Sequence, residues 1–148
     1  MDTEKKDNQP VTPSLLFGRL QEKEIELFGA TFKVRSLDSA QIALCSDGAV
    51  NQFGVFHRAK HKLLTIQHGL TGWRGIPDAA GHAVLPEREK RTIYGDEYEI
   101  LTNSMVKRLH PDLVAPLYDE IMRLSVLSDD EKKSLRSTGG SSQQNSSA

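Results

Sequence analysis

The sequence predicts a mainly α-helical protein, in which a small N-terminal β-hairpin is followed by a compact bundle of about five helices, with disordered termini. Three observations predict this fold. Apolar residues recur at helical spacing through much of the chain, one short stretch alternates apolar and charged residues, and both ends are polar. A chain of 148 residues fits a single globular domain, here residues 14–136, between disordered segments at residues 1–13 and 137–148.

The alternating stretch covers residues 25–35 and is typical of a β-hairpin, with Gly29 at its turn. The charged positions of its two strands have opposite signs, with Glu24 and Glu26 against Lys33 and Arg35. Opposite charges across an antiparallel pair stabilise it. Because an isolated hairpin is barely stable in water, we expect this one to pack on helices.

Two helical signals follow the hairpin. Asp38 is a predicted N-cap and Gln41 occupies the capping-box position, so we expect a short helix over residues 37–45. Residues 50–68 carry the strongest helical pattern of the chain, with one side formed by Phe53, Phe56, Lys60, Leu63 and Gln67.

In the second half of the chain, residues 87–93 are predicted to form a short helix, and apolar residues at helical spacing predict helices at residues 97–109 and 111–124. The last of these begins with Pro111, which is tolerated in the first turn of a helix. Ser128 and Glu131 then form a capping box that predicts a final short helix.

A glycine-rich segment, residues 69–81, separates the two halves and contains the single tryptophan, Trp73. Its four glycines predict a loop, because each costs a helix about 1 kcal/mol relative to alanine. A tryptophan on such a loop either anchors the loop to the core or forms a hot spot for a partner. The candidate partner-binding residues are therefore Trp73, Ile76 and Leu70, and both interpretations of Trp73 remain open.

No motif of the sequence indicates catalysis. The glycines of the loop match neither a dinucleotide-binding pattern nor a P-loop. Cys45 has an acidic neighbour, Asp47, rather than a base, and a nearby acid raises a thiol pKa. We therefore predict a protein that is not an enzyme, with no catalytic residues, no cofactor and no metal.

Three histidines offer the sharpest alternative. His57, His61 and His68 are spaced so that they could share one face of the predicted helix and chelate a metal ion. The residues between the first two include Arg58 and Lys60, which would repel a cation and could instead contact phosphates. A solvated helix face is the default interpretation, and a metal- or nucleic-acid-binding helical protein remains an alternative.

Composition excludes several classes of protein. The formal net charge is −1, so the chain has no electrostatic bias toward nucleic acid or an anionic membrane. No run of residues is apolar enough to predict a membrane span, and no signal sequence opens the chain. The single cysteine excludes an internal disulfide. We expect a soluble cytoplasmic protein without a membrane or nucleic-acid partner.

Several short motifs occur in a fixed order between residues 24 and 136. The hairpin ends in FKVRSL (32–37), the glycine-rich segment contains LTGW (70–73) and DAAG (78–81), and LSDDE (127–131) precedes a polar tail. In this order the chain resembles the tail assembly chaperones of long-tailed bacteriophages.

The resemblance implies a non-enzymatic protein of the host cytoplasm that binds the tape measure protein while the tail tube forms around it. The major tail protein is a further candidate partner, and a homo-oligomer is a further candidate state. A structural tail or head–tail completion protein of a phage particle is the main alternative. Such roles need a small domain that covers apolar helix faces of a long client.

Overall fold

The computed structural model describes residues 20–139, with the backbone alone for residues 137–139. Two compact units are distinguished: Leu20–Ser125 forms one, and residues 126–139 are the described part of the other. The predicted disordered segment at residues 1–13 lies outside the described residues. The predicted tail at residues 137–148 also lies outside them, except that the backbone of residues 137–139 continues a helix.

The prediction of a mainly α-helical protein with a five-helix bundle is wrong. In the described part of the chain, five strands form two antiparallel sheets, and the five helices follow them in two groups, two helices after the second strand and three after the fifth. The fold is therefore of the α+β class. The prediction fails in four places: the start of the predicted helix at residues 50–68, the glycine-rich segment, the predicted helix at residues 87–93, and the start of the one at residues 97–109.

The first sheet has three strands in the order β1–β2–β3, namely β1 (Glu22–Leu27), β2 (Ala30–Arg35) and β3 (Leu70–Arg74). The predicted hairpin at residues 25–35 is present as β1 and β2, with Glu24 opposite Lys33. Its two-residue turn consists of Phe28 and Gly29, which have φ values of 52° and 83°. Positive φ at both positions is the type I′ geometry that matches the twist of the strands.

The glycine-rich segment begins as a strand and not as a loop. β3 pairs with β2, and Trp73 lies opposite Phe32. The glycines disfavour a helix here, as expected, but Gly69 ends the preceding helix and the five residues after it form an extended strand and not a loop. Leu70 faces the interior opposite Val34, whereas Gly72 lies opposite the exposed Lys33, and the ladder to β2 supplies the hydrogen bonds that a loop would lack.

The second sheet is a hairpin of β4 (Arg88–Ile93) and β5 (Asp96–Leu101). Its strands replace the helix predicted at residues 87–93 and the first part of the one predicted at residues 97–109. Tyr94 and Gly95 form a turn with φ values of 50° and 84°. Gly95 is therefore part of a hairpin turn, and Lys90 lies opposite Glu99 across the pair.

The helices are α1 (Ser39–Gly48), α2 (Arg58–Gly69), α3 (Asn103–Arg108), α4 (Pro111–Ser125) and α5 (Asp129–Gly139). The predicted capping box of α1 is confirmed, since Gln41 N–H donates to Asp38 Oδ1 at 2.9 Å and Asp38 N–H donates to Gln41 Oε1 at 3.2 Å. The capping box of Ser128 and Glu131 is also present at the start of α5. By contrast, the helix predicted at residues 50–68 begins only at Arg58, the first residue of α2, and residues 50–57 are not helical.

The core of the unit Leu20–Ser125 lies between the three-stranded sheet and the helices α2 and α4. Its fully buried side chains include Phe32 and Val34 from β2. Ile66 of α2 and Leu117 and Ile121 of α4 complete it from the helical side. At the end of α2, Gly69 lets the side chain of Ile121 approach the backbone closely.

Candidate partner-binding groove

The three candidate residues occupy different environments. Leu70 is fully buried in the core, so its side chain presents no surface to a partner. Trp73 is half-buried against the core, and its indole Nε1 donates to the backbone oxygen of Val84 at 2.7 Å. Ile76 is also half-buried at the edge of the core. The structure therefore brings Trp73 and Ile76 to the surface and leaves Leu70 beneath it.

The segment after β3 forms an ordered turn. Val84 N–H donates to Ile76 O at 2.8 Å, which pairs the two arms of the turn. At its tip, Asp78 Oδ1 accepts hydrogen bonds from Ala80 N–H and His82 N–H at 2.9 and 2.8 Å. Aspartate side chains commonly close turns in this way. The returning arm is fixed to β3 by the indole of Trp73, so Ile76 is held in place.

Ile76 lines an apolar groove of about 490 Å³. The groove is bounded by the β1–β2 turn, by the first residues after β3, and by the junction between α3 and α4. Its lining residues include Leu27, Phe28, Phe32, Ile76, Pro77, Leu109 and Leu113. Most of these side chains are apolar, and the groove has the size of a site for a few side chains of a ligand.

Phe28 is the most unusual residue of the groove. It is 78% exposed and has a φ of 52°. Left-handed backbone costs a residue other than glycine roughly 1–2 kcal/mol, and asparagine tolerates it best. A large apolar side chain held in solvent at a strained turn position contributes little to the fold. Tyr94 has the same exposure and a similar φ of 50°, so the feature that distinguishes Phe28 is its position in the lining of the groove.

Charged residues stand at one side of the groove. Arg108 ends α3, and His110 and Asp112 lie at the start of α4. Asp112 N–H donates to His110 Nδ1 at 3.1 Å, and Asp112 Oδ2 lies 3.8 Å from the same nitrogen. Both signs of charge are therefore available beside the apolar lining, where they can orient a bound segment.

Of the groove residues, only Ile76 was predicted from the sequence to bind a partner. Leu109 and Leu113 belong to the apolar patterns that predicted helices at residues 97–109 and 111–124, and Phe28 carried no signal apart from its position before Gly29. That signal was usable, because an aromatic residue occupies a turn position at which asparagine or glycine is preferred.

The three histidines are not brought together as metal ligands. His57 is exposed and its Nε2 lies 3.1 Å from Asn51 Nδ2. His61 Nδ1 lies 3.1 Å from the hydroxyl of Tyr118, and His68 Nδ1 lies 3.2 Å from Gln41 Nε2. Each imidazole has its own partner, and within the described residues no cluster of three ligating side chains could hold a metal ion.

Burial determines the chemistry of Cys45 and His61. Cys45 lies in the core, and burial raises its pKa to about 11. Burial, with a smaller contribution from the charge of Arg58, lowers the pKa of His61. The thiol is protonated at neutral pH and is therefore a poor nucleophile.

Within residues 20–139, no helix has both the length and the apolar character needed to cross a bilayer. Comparison with known proteins gives no matching family model, no matching curated protein and no matching solved structure.

Proposed function

We propose that the protein is a non-enzymatic tail assembly chaperone of a long-tailed phage, and that its apolar groove binds the tape measure protein during assembly of the tail tube. The identity of the client rests on the ordered motifs between residues 24 and 136. The observation that carries the binding site is Phe28, an exposed aromatic residue held at positive φ beside the groove.

The groove suits an apolar row of side chains from a client helix. Ile76 and Leu113 come from separate elements, and the turn of Phe28 forms a third wall. An amphipathic helix inserts side chains into such a groove at positions i, i+3, i+4 and i+7. Because the groove is small, binding is reversible, as a chaperone that leaves the assembled tail requires.

This function places the protein in the host cytoplasm, with the tape measure protein as client and the major tail protein as a further partner. The other candidate is a structural tail or head–tail completion protein. Quantitative mass spectrometry of purified particles separates the two functions. A chaperone is absent from the particles, whereas a stoichiometric amount would replace the chaperone proposal with the structural one.

The binding site is tested by Phe28→Asn. Asparagine adopts positive φ more readily than other residues with a side chain, so we expect the turn to stay intact while the aromatic ring is removed. Tyr94→Asn is a matched control, because Tyr94 is equally exposed, has a φ of 50°, and is not one of the groove residues. Each variant is co-expressed with the tape measure protein of the same phage, and complex formation is measured by pull-down and client solubility.

We expect Phe28→Asn to weaken the complex about tenfold or more, as loss of a hot-spot aromatic does, and Tyr94→Asn to leave it unchanged. Equal binding by the two variants would remove the groove as the client site. Failure of the unmodified protein to bind or solubilise the tape measure protein would remove the chaperone function itself.

A further inference from the structure

A second apolar surface lies at residues 50–56, which we call the Phe53 turn. It is a tightly hydrogen-bonded structure. Asn51 Oδ1 accepts from Phe53 N–H at 2.8 Å and from Val55 N–H at 3.0 Å. Asn51 N–H donates to Val55 O at 2.9 Å, and Gly54 N–H donates to Asn51 O at 3.0 Å. Gly54 has a φ of 78°, which a residue with a side chain rarely adopts.

Hydrogen bonds and a ring contact connect the base of the Phe53 turn to the rest of the unit. Val50 and Phe56 pair as an isolated antiparallel bridge, and His57 N–H donates to Ala49 O at 2.8 Å. The ring of Phe56 lies 5.3 Å from the ring of His61, whose partner is Tyr118 of α4. The conformation of the turn is therefore fixed before any partner binds.

The Phe53 turn presents apolar side chains to solvent. Phe53 at its tip is 79% exposed, and Val55 is 52% exposed. Val50 and Phe56 are exposed as well. Ordering a loop is a large part of the free-energy cost of association, and here the loop is already ordered. Exposed aromatic residues on a rigid support are the usual anchors of protein interfaces.

Three basic residues of α2, Arg58, Lys60 and Lys62, lie next to the Phe53 turn. The sequence has no acidic residue between Asp47 and Asp78. Within the described residues, no carboxylate forms a salt bridge with Arg58, Lys60 or Lys62. The first two lie in the first turn of α2, where the helix dipole disfavours positive charge. These residues oppose the stability of their own helix, which is a sign of a role in binding.

The spacing along α2 arranges these residues in rows. Ala59 and Leu63 are four apart and form an exposed apolar row. Arg58 and Lys62 are also four apart and lie on one side of that row, whereas Lys60 lies on the other side, because each residue advances about 100° around a helix. The apolar surface is thus a strip that leaves the Phe53 turn and runs between cations.

We propose that residues 50–63 form a docking surface for an acidic amphipathic helix of a partner protein. Apolar side chains of that helix contact Phe53, Val55 and Leu63, and carboxylates on its two flanks pair with Arg58 and Lys60. The ammonium of Lys62 lies over the ring of Tyr118, 5.7 Å from its centroid. A strip flanked by charge on two sides complements one helix. Helices that lie on an anionic membrane instead bury a broad apolar face rich in Trp, Phe or Leu, whereas the exposed apolar row of α2 consists of Ala59 and Leu63 alone.

This surface shares no residue with the groove of Phe28, so the two sites can be tested separately. The probe is a fluorescein-labelled synthetic helix with an apolar row at i, i+3, i+4 and i+7 and glutamates on both flanks. A second helix has glutamine at each glutamate position. Binding to the full chain is measured by fluorescence anisotropy at low and high salt, and vesicles containing phosphatidylserine are tested in parallel.

We expect the acidic helix to bind and the glutamine helix to bind about tenfold more weakly. Added salt should weaken binding of the acidic helix. Phe53→Ser should reduce affinity about tenfold, and the double variant Arg58→Gln/Lys60→Gln should reduce it about fivefold. Two controls should bind as the unmodified protein does: Tyr94→Ser, another exposed aromatic at a turn, and Phe28→Asn, which alters the groove alone.

Three results would overturn the proposal: equal affinity for the two helices, unchanged binding by Phe53→Ser, or no binding of the acidic helix. Binding to the vesicles with no binding to the helix would assign the surface to a membrane instead. Circular dichroism of each variant shows whether it is folded, and the hydrogen bonds of Asn51 that define the turn do not involve the side chain of Phe53.

Discussion

The indole Nε1 of Trp73 donates a hydrogen bond to the backbone oxygen of Val84, 2.7 Å away. This contact joins β3 to the returning arm of the segment that follows it. Trp73 therefore anchors that segment, and through it positions Ile76 beside the groove. A partner contact for Trp73 stays a prediction, because its half-buried ring still reaches the surface.

Substitutions at Trp73 separate its ring from its hydrogen bond. Trp73→Phe keeps an aromatic ring but removes the donor, and we expect it to lower the free energy of unfolding by about 1 kcal/mol. Trp73→Ala also removes the packing and should cost about 3 kcal/mol. Urea unfolding followed by far-UV circular dichroism measures both. Phe53→Ala, at an exposed aromatic, is the control and should stay within about 0.5 kcal/mol of the unmodified protein.

Two glycines of the same segment should respond differently to alanine. A Cβ atom at Gly69 would lie 2.6 Å from Ile121 Cγ2, so the core must shift to admit it. We expect Gly69→Ala to destabilise the protein by about 1–3 kcal/mol. A Cβ atom at Gly72 meets nothing within 4 Å, so Gly72→Ala should be neutral within about 0.5 kcal/mol. Equal melting temperatures for the two variants would contradict the close packing of α2 on α4.

Local signals predicted the elements that local interactions determine. Asp38 and Gln41 identified the start of α1 because a capping box forms within four residues. The hairpin β4–β5 was missed because residues 88–93 carry mixed charges and a single large apolar side chain, Ile93, so neither helical nor strand periodicity stands out. That hairpin depends on cross-strand pairs, which connect residues that a local pattern treats as independent.

The groove was even less accessible from the sequence. Ile76, Leu113 and Phe28 are separated by dozens of residues and converge only when β3 and α4 pack against the first hairpin. Phe28 lies in the two-residue turn of the first hairpin, and only its position before Gly29 pointed to it in the sequence. Surface sites assembled from distant elements are set by tertiary packing, which periodicity does not encode.

The reactivity of Cys45 tests whether the core-facing side of α1 is closed to solvent. Its thiol is buried, and burial raises its pKa to about 11, so little thiolate exists at neutral or mildly alkaline pH. We expect the folded protein to react with a disulfide reagent about a hundredfold or more slowly than the protein unfolded in guanidinium, since reaction of a buried thiol requires opening of the fold. Rapid stoichiometric labelling of the folded protein would contradict the burial of this residue.

His68 is a fully buried imidazole that the fold holds in the neutral form. Gln41 Nε2 donates to its Nδ1 at 3.2 Å, so the ring proton lies on Nε2. Burial, with smaller contributions from the charges of Arg91 and Arg35, lowers the pKa of His68 to about 4, against a weaker opposing effect of Asp38. A protonated ring would also turn an N–H toward the amide of Gln41.

This pKa predicts a loss of stability in acid. Between pH 6.5 and about 4 the unfolded chain binds a proton at His68 that the folded chain does not bind. The contribution of the neutral ring is therefore complete above pH 6.5 and decreases as the pH falls toward 4. A shift of this size corresponds to about 3 kcal/mol at most.

Comparison with His68→Asn isolates the contribution of the neutral His68 ring to the free energy of unfolding. The asparagine of this variant would offer Gln41 an acceptor but would not titrate, so its cost from lost packing is constant with pH. We expect the stability advantage of the unmodified protein to shrink by about 3 kcal/mol as the pH falls through this window, because the other titrating groups cancel in the difference. Urea unfolding at a series of pH values measures it. His82→Asn, at an exposed position, should follow the unmodified protein throughout, and an advantage that does not change with pH would show that His68 is not held neutral.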